Sequence, residues 1–127
     1  MSDASGGNVR AEGRVLIDDF AKAWEKGNVD RLIGVFSANP VFVEDPFTAP
    51  LSGMTAVRGY FEDIPKHQAE VTFTTGEIYA AGPWFSTEFK LVFRRRRTGD
   101  WVEARGAIFC ETDGGKISEM RMYWHRK

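Results

Sequence analysis

The sequence has little of what disulfide, metal or nucleic-acid chemistry requires. A single cysteine, Cys110, excludes an internal disulfide and fits a reducing compartment. The two histidines, His67 and His125, stand too far apart for metal-ligand spacing, so we predict no metal site. With 17 basic and 18 acidic residues the net charge is -1, which creates no global field toward nucleic acid or an anionic membrane.

Long apolar runs and nucleotide motifs are absent as well. No segment approaches the length needed to cross a bilayer, and the polar residues 1–13 contain no apolar signal core. There is no glycine-rich phosphate loop and no Gly-x-Ser-x-Gly elbow. The basic run Arg94–Arg97 divides between the two faces of a predicted strand, which favours a solvated hairpin. We expect a cytoplasmic protein with no cofactor and no nucleic-acid or membrane partner.

Aromatic residues are what the chain has in quantity. Ten phenylalanines and four tryptophans among 127 residues predict an aromatic-rich core, an aromatic-lined cavity, or both. A chain of this length forms one domain that buries roughly two-thirds of its unfolded surface. We interpret residues 1–8 as a flexible N-terminal arm and residues 9–127 as a single domain.

Helical periodicity predicts three helices in the first half of the chain. The first runs from Val9 to Lys26, and Gly27-Asn28 supplies its stop and the cap of the next helix. The second runs from Val29 to Phe36. The third is marked by the apolar positions between Val57 and Ile64, and Pro65 is expected to end it.

The rest of the chain has the pattern of strands. The predicted strands are a short one after Pro40, one or two between Val71 and Ala80, and three long ones at Trp84–Arg95, Trp101–Thr112 and Lys116–His125. Asp113-Gly114-Gly115 is a strong hairpin signal before the last strand. This order predicts an α+β fold in which helices pack on one face of a strongly curved, mainly antiparallel sheet. Such a cone can hold a small apolar ligand.

The segment Val43–Phe47 carries the most specific chemical signal. Strand alternation places Asp45 on the side of Val41 and Val43, which we interpret as the interior, and Glu44 on the opposite side. A carboxylate in apolar surroundings has a raised pKa and becomes a better proton acceptor. Asp45 is therefore a candidate general base. The alternative is a turn residue, since Asp-Pro pairs often initiate turns.

Three segments resemble the nuclear transport factor 2-like superfamily, and within it the SnoaL-like polyketide cyclases and the ketosteroid isomerases. They are Ala23–Asp30, the segment Val43–Phe47 followed by Pro50 and Gly53, and the ending Met120–Trp124. The likeness spans residues 14–125. It implies the NTF2-like cone described above, with three helices on a curved sheet.

The resemblance also implies roles for single residues. Asp45 matches the isomerase base, and Met120 and Trp124 match positions that line the pocket. Phe20 stands where the isomerases have an oxyanion-hole tyrosine, and Ile108, or Ala107 in another alignment, stands where they have a protonated aspartic acid. One lost oxyanion donor typically costs about 100- to 1000-fold in rate, so efficient ketosteroid isomerisation is not expected.

These observations favour a small-molecule isomerase, cyclase or lyase that uses Asp45 to remove a proton next to a carbonyl. The expected ligand is a small hydrophobic molecule. The pocket is expected to be lined by Phe20, Trp24, Phe47, Tyr60, Phe61, Phe85, Phe89, Ile108, Met120 and Trp124. The alternatives are a non-catalytic module that binds a hydrophobic ligand and a protein-association domain. A homodimer is expected, formed through the outer face of the sheet.

Overall fold

The computed structural model describes residues 5–127, which form three helices and seven strands. The helices are α1 (Ser5–Lys26), α2 (Val29–Ile33) and α3 (Met54–His67). The strands are β1 (Phe36–Val43), β2 (Leu51–Ser52), β3 (Gln68–Thr75), β4 (Tyr79–Ala81), β5 (Trp84–Arg95), β6 (Trp101–Asp113) and β7 (Lys116–Arg126).

All the strands belong to one curved sheet in the order β2-β1-β7-β6-β5-β3, with β4 paired to β5. β1 runs parallel to β7, and the remaining pairs are antiparallel. The helices cover the inner face of this sheet with their apolar sides. The prediction of an α+β fold with helices on a curved, mainly antiparallel sheet is confirmed.

An aromatic cluster fills the space between α1 and the sheet. Phe20 lies at its centre, and its ring centroid is 5.6 Å from that of Trp24, 5.7 Å from Phe61 and 5.9 Å from Phe73. All three contacts are edge-to-face, the arrangement that the quadrupoles of aromatic rings favour. Phe20 is fully buried there, so the abundant phenylalanines form a packed core at this depth.

The junction between the first two helices follows the sequence prediction. Gly27 has a φ of +65°, the left-handed conformation that ends a helix most easily at glycine. The side chain of Asn28 then accepts a hydrogen bond of 3.1 Å from the backbone N–H of Arg31. The end of the second helix was predicted wrongly. α2 stops at Ile33, and Phe36 already begins β1 because its segment pairs with β7.

Both prolines that we expected to delimit elements lie inside them. Pro40 is within β1, in the irregularity of its pairing with β7 between Phe36 and Val41, where a missing N–H breaks no ladder bond. Pro65 lies in the last turn of α3, which continues to His67. The ring of Pro65 packs under Gly27, and its carbonyl accepts a bond of 2.9 Å from Arg96 Nε.

The remaining boundaries differ little from the predictions. α1 begins at Ser5, earlier than the predicted Val9, and residues 1–4 of the expected arm lie outside the described residues. Residues 71–80 fall into two strands, β3 and β4, separated at residues 76–78. β5 has the predicted bounds, and β6 and β7 each extend one residue further.

Candidate functional site

A cavity of about 170 Å³ opens between α1, α3 and one end of the sheet. Its wall is mostly aromatic and aliphatic, and a few polar groups interrupt it. The lining residues are Trp24, Glu44, Tyr60, Gln68, Leu91, Phe93, Val102, Ala104, Met122, Trp124 and Arg126. An apolar recess with few polar groups is the usual form of a small-molecule site.

The carboxylate in this wall is Glu44, and the predicted orientation of β1 is wrong. Phe42 and Val43 are both buried, so burial alone does not separate the two faces of the strand. The register with β7 distinguishes the two faces, because Phe42 pairs with the buried Met120 and Val43 pairs with the exposed Arg121. The inner side of the strand therefore carries Phe42 and, two residues on, Glu44.

Asp45 lies at the turn that follows β1, outside the cavity lining. Its carboxylate accepts a hydrogen bond of 2.8 Å from the backbone N–H of Phe47 and one of 2.6 Å from Thr48 Oγ1. The Thr48 hydroxyl and the Phe47 amide lower the pKa of Asp45. The expected rise in this pKa is therefore wrong, and the turn alternative describes the contacts. Phe47 itself is 98% exposed and lines no part of the cavity.

Tyr60 brings a hydroxyl group into the same cavity as Glu44. Its ring packs against Phe42 and Phe61, with centroids 5.0 Å and 5.1 Å away. Burial raises the pKa of Tyr60 well above its usual value, and the charge and hydrogen bonding of Glu44 raise it further. The Tyr60 hydroxyl therefore stays protonated at neutral pH and can donate a hydrogen bond.

Two tryptophans fix the polar part of the wall. Trp24 Nε1 donates to Gln68 Oε1 at 2.9 Å, and Trp124 Nε1 donates to the backbone carbonyl of Glu44 at 3.0 Å. Both indole N–H groups are thus engaged within the protein. The bond from Trp124 holds the end of β1, and with it the Glu44 backbone, against β7.

Three of the predicted ligand-binding residues meet in this cavity: Trp24, Tyr60 and Trp124. The others that point inward are packed in the hydrophobic core and do not line it. These are Phe20, Phe61, Phe85, Phe89, Ile108 and Met120. Ile108, rather than Ala107, faces the interior. The helices and sheet therefore close over the deep end of the expected cone.

Within residues 5–127 no group of three His, Cys, Asp or Glu side chains could hold a metal ion. Nor is any helix of that part of the chain long and apolar enough to cross a membrane. What the cavity offers chemically is a carboxylate, a protonated phenol, an amide and a guanidinium in an aromatic surround.

A model of the SnoaL-like domain matches residues 17–120, which is most of the chain and includes β1 with its following turn. The chain belongs to the SnoaL-like domain family. The SnoaL-like match ends at Met120, before Trp124 and Arg126, so the outer part of the cavity wall lies beyond the matched residues. A search of curated proteins found no significant match.

Solved structures share this SnoaL-like fold over nearly the whole chain. A candidate isomerase from Bacillus subtilis is 21% identical, with a TM-score of 0.83, covering 92% of this chain and 88% of its own. The epoxide hydrolase/cyclase-like enzyme SalBIII has a role in pyran ring formation in the polyether salinomycin. It is 21% identical, with a TM-score of 0.77, covering 88% of this chain and 89% of its own. Rv0760c from Mycobacterium tuberculosis, in complex with estradiol-17β-hemisuccinate, is 16% identical, with a TM-score of 0.76 and coverages of 90% and 94%.

The sequence did not predict the polar cavity residues Glu44, Gln68 and Arg126, nor the apolar lining residues Leu91, Phe93, Val102, Ala104 and Met122. Glu44 was predicted to lie on the outer face of its strand, and this orientation is wrong. Arg126 follows Met122 and Trp124 at alternate positions of β7, so strand periodicity was a signal for it. Nothing in the sequence marks Gln68 as a cavity residue, because its position depends on where α3 ends and β3 begins.

Proposed function

We propose that this SnoaL-like protein is an isomerase- or cyclase-like enzyme that moves a proton on a small carbonyl compound, with Glu44 as the general base. The observation that carries the proposal is a carboxylate beside a protonated tyrosine hydroxyl in an aromatic cavity. Membership of the SnoaL-like family supports the reaction class. No step in it requires a cofactor.

The two polar groups have complementary tasks in such a reaction. Glu44 takes a proton from the carbon next to the carbonyl, and the carbonyl oxygen gains negative charge as the enolate forms. As Glu44 takes up the proton, the Tyr60 hydroxyl shifts its hydrogen bond from the Glu44 carboxylate to that oxygen. The apolar wall limits competing water around the enolate oxygen, which strengthens the hydrogen bond.

Asp45 is the second candidate for the base. It lies next to Glu44 in the chain, and its charge also contributes to the raised pKa of Tyr60. Its two hydrogen bonds lower its own pKa, however, and a weaker base accepts a carbon-bound proton less readily. We therefore assign proton abstraction to Glu44 and a turn-forming role to Asp45.

The cavity volume limits the substrate. Pockets for drug-sized ligands typically measure about 300–1,000 Å³, and this one measures about 170 Å³. It suits a small ring or one end of a larger molecule whose remainder extends past the rim. The steroid derivative bound by Rv0760c and the pyran ring formation of SalBIII point to cyclic, largely apolar substrates.

A specific observation favours a non-catalytic binding protein as the second candidate function. Phe20 and Ile108, which stand where the isomerases carry their oxyanion donors, are both fully buried. The deep end of the site therefore has no polar group from these positions. Without Tyr60 as a substitute donor, the cavity would bind a hydrophobic ligand and leave it unchanged.

Deuterium uptake from heavy water into a panel of small enolisable ketones tests the proposal. Mass spectrometry should detect uptake with the wild type, and Glu44→Gln should reduce it by at least about 100-fold. Tyr60→Phe should slow uptake by about 100- to 1000-fold, the usual effect of one lost oxyanion donor. Ketones that quench tryptophan fluorescence on binding but take up no deuterium would show a binding protein instead.

A further inference from the structure

One charged residue of the cavity has no part in the proposed proton transfer. Arg126 lies at the exposed end of β7, and its side chain lines the rim of the cavity. Strand alternation places it on the same side as Met122 and Trp124, whose side chains form the wall below. Its guanidinium carbon is 5.8 Å from the centre of the Trp124 ring.

Within the described part of the chain, no carboxylate forms an ion pair with this guanidinium. Among residues 5–127, Arg126 has no partner within ion-pair distance, whereas Arg94 is paired with Glu70 and Arg121 with Glu119. The acidic side chain near it on β6, Glu103, is bound by Arg105 at 2.6 Å. The rim therefore carries a positive charge that has no ion-pair partner among residues 5–127, and it lies beside an aromatic ring.

Trp124 separates the two charged ends of the cavity. Its N–H contacts the backbone of Glu44, and its ring lies next to the Arg126 guanidinium. A ligand lying along Trp124 meets the Glu44 carboxylate at its inner end and the Arg126 guanidinium at its outer end. An anionic group is repelled from the first and attracted by the second, so such a ligand can bind in one direction only.

We propose that the substrates are carbonyl compounds that also carry a carboxylate, and that Arg126 binds this carboxylate at the rim. The inference deepens the proposed function and rests on it for the reacting end of the substrate. A guanidinium holds a carboxylate with two parallel hydrogen bonds, which also fixes its orientation. Arg126 thereby selects the substrate and directs its carbonyl end toward Glu44.

Binding of inert ligands tests the carboxylate site without any turnover. Cyclopentanecarboxylate and its neutral amide, cyclopentanecarboxamide, are titrated against tryptophan fluorescence, because Trp24 and Trp124 line the cavity. The wild type should bind the acid about 10-fold or more tightly than the amide, as expected for a hydrogen bond to a charged group. Arg126→Gln should abolish that preference, because the loss in binding falls mainly on the acid.

Arg97→Gln is the matched control. It removes the same charge from the exposed turn between β5 and β6, and Arg97 is not part of the cavity lining. It should keep most of the acid preference. Equal binding of acid and amide by the wild type, or an equal loss in both variants, would overturn the inference.

The two proposals can fail separately. In one outcome, ketones exchange deuterium through Glu44, but an added carboxylate does not lower KM and Arg126→Gln does not alter acid binding. The carboxylate site is then wrong, and the proposed function stands. If the acid preference depends on Arg126 but no oxo acid exchanges deuterium, the binding site stands and the proposed reaction is wrong.

Discussion

At the scale of single residues, the site depends on two neighbouring carboxylates with different surroundings. Glu44 lines the cavity beside Tyr60, whereas Asp45 is held by the Phe47 amide and the Thr48 hydroxyl. Both hydrogen bonds favour the charged form of Asp45. Under the proposed function, Glu44 acts as the base and its neighbour Asp45 forms the turn.

The lowered pKa of Asp45 predicts how stability changes with pH. A carboxyl group whose pKa is lower in the folded state stabilises the fold above its unfolded pKa, and this contribution disappears as the pH falls through the folded pKa. Asp45→Asn should therefore lose stability relative to the wild type at neutral pH, and the difference should shrink in acid. Urea unfolding across that range measures it. A carboxyl NMR titration that places the Asp45 pKa above its ordinary value would contradict the assignment.

Phe20→Tyr tests whether the position that carries an oxyanion-hole tyrosine in the isomerases borders a ligand site in this protein. Phe20 is enclosed by aromatic rings, so an added hydroxyl would be buried without a partner at a cost of about 1–3 kcal/mol. We expect this loss in chemical unfolding and no gain in deuterium exchange. Phe47→Ala, at a fully exposed ring, should leave stability unchanged. Faster deuterium exchange with Phe20→Tyr than with the wild type would show that the deep end of the fold is open to small ketones.

At the scale of elements, the close contact between β6 and β7 shapes the cavity. Gly106 pairs with Trp124, and a Cβ atom at Gly106 would lie 1.8 Å from the carbonyl oxygen of Tyr123. Only glycine permits this approach. The two strands that carry the cavity wall are therefore held together at the point where Trp124 enters it.

Gly106→Ala should destabilise the protein strongly, because the clash is with backbone that cannot move aside. We expect a loss of about 3 kcal/mol in the free energy of unfolding. Gly59→Ala is the control. Gly59 is in α3 with open space around it, and alanine there should stabilise the helix by about 0.5–1 kcal/mol. Equal effects of the two substitutions would contradict this account of the β6–β7 contact.

Local sequence rules predicted most elements because periodicity and caps act within a few residues. They gave α1, β5, β6, β7 and the Gly27-Asn28 junction. They failed at Pro40 and Pro65, where pairing and packing with distant segments decide the outcome. The orientation of β1 was predicted wrongly for the same reason. Phe42 and Val43 are both apolar, and only the register with β7 shows which of them faces inward.

At the scale of the whole molecule, the resemblance predicted the fold but not the depth of its pocket. The aromatic cluster around Phe20 fills the base of the cone and leaves a shallow cavity at one end. Core packing of this kind depends on many side chains together, so single matched positions could not reveal it. The site lies where β1, α3 and β7 meet, three elements from distant parts of the chain.

The homodimer remains a prediction, and the outer face of the sheet supports it. Trp101, Phe109 and Tyr123 are 59%, 42% and 39% exposed there, and the last two rings are in contact at 5.7 Å. We expect a dimer by light scattering at micromolar concentrations, and a monomer after Phe109→Lys combined with Tyr123→Lys. A monomeric wild type would contradict the prediction.

Chemical rescue is the most direct test of Glu44 as the base. Deuterium exchange into a reactive ketone is measured for Glu44→Ala and Asp45→Ala, each with and without added formate. Glu44→Ala should lose exchange and regain part of it when formate occupies the space left in the cavity. Asp45→Ala should keep most of its activity and respond little to formate. Loss and rescue at Asp45, with Glu44→Ala still active, would contradict the central claim.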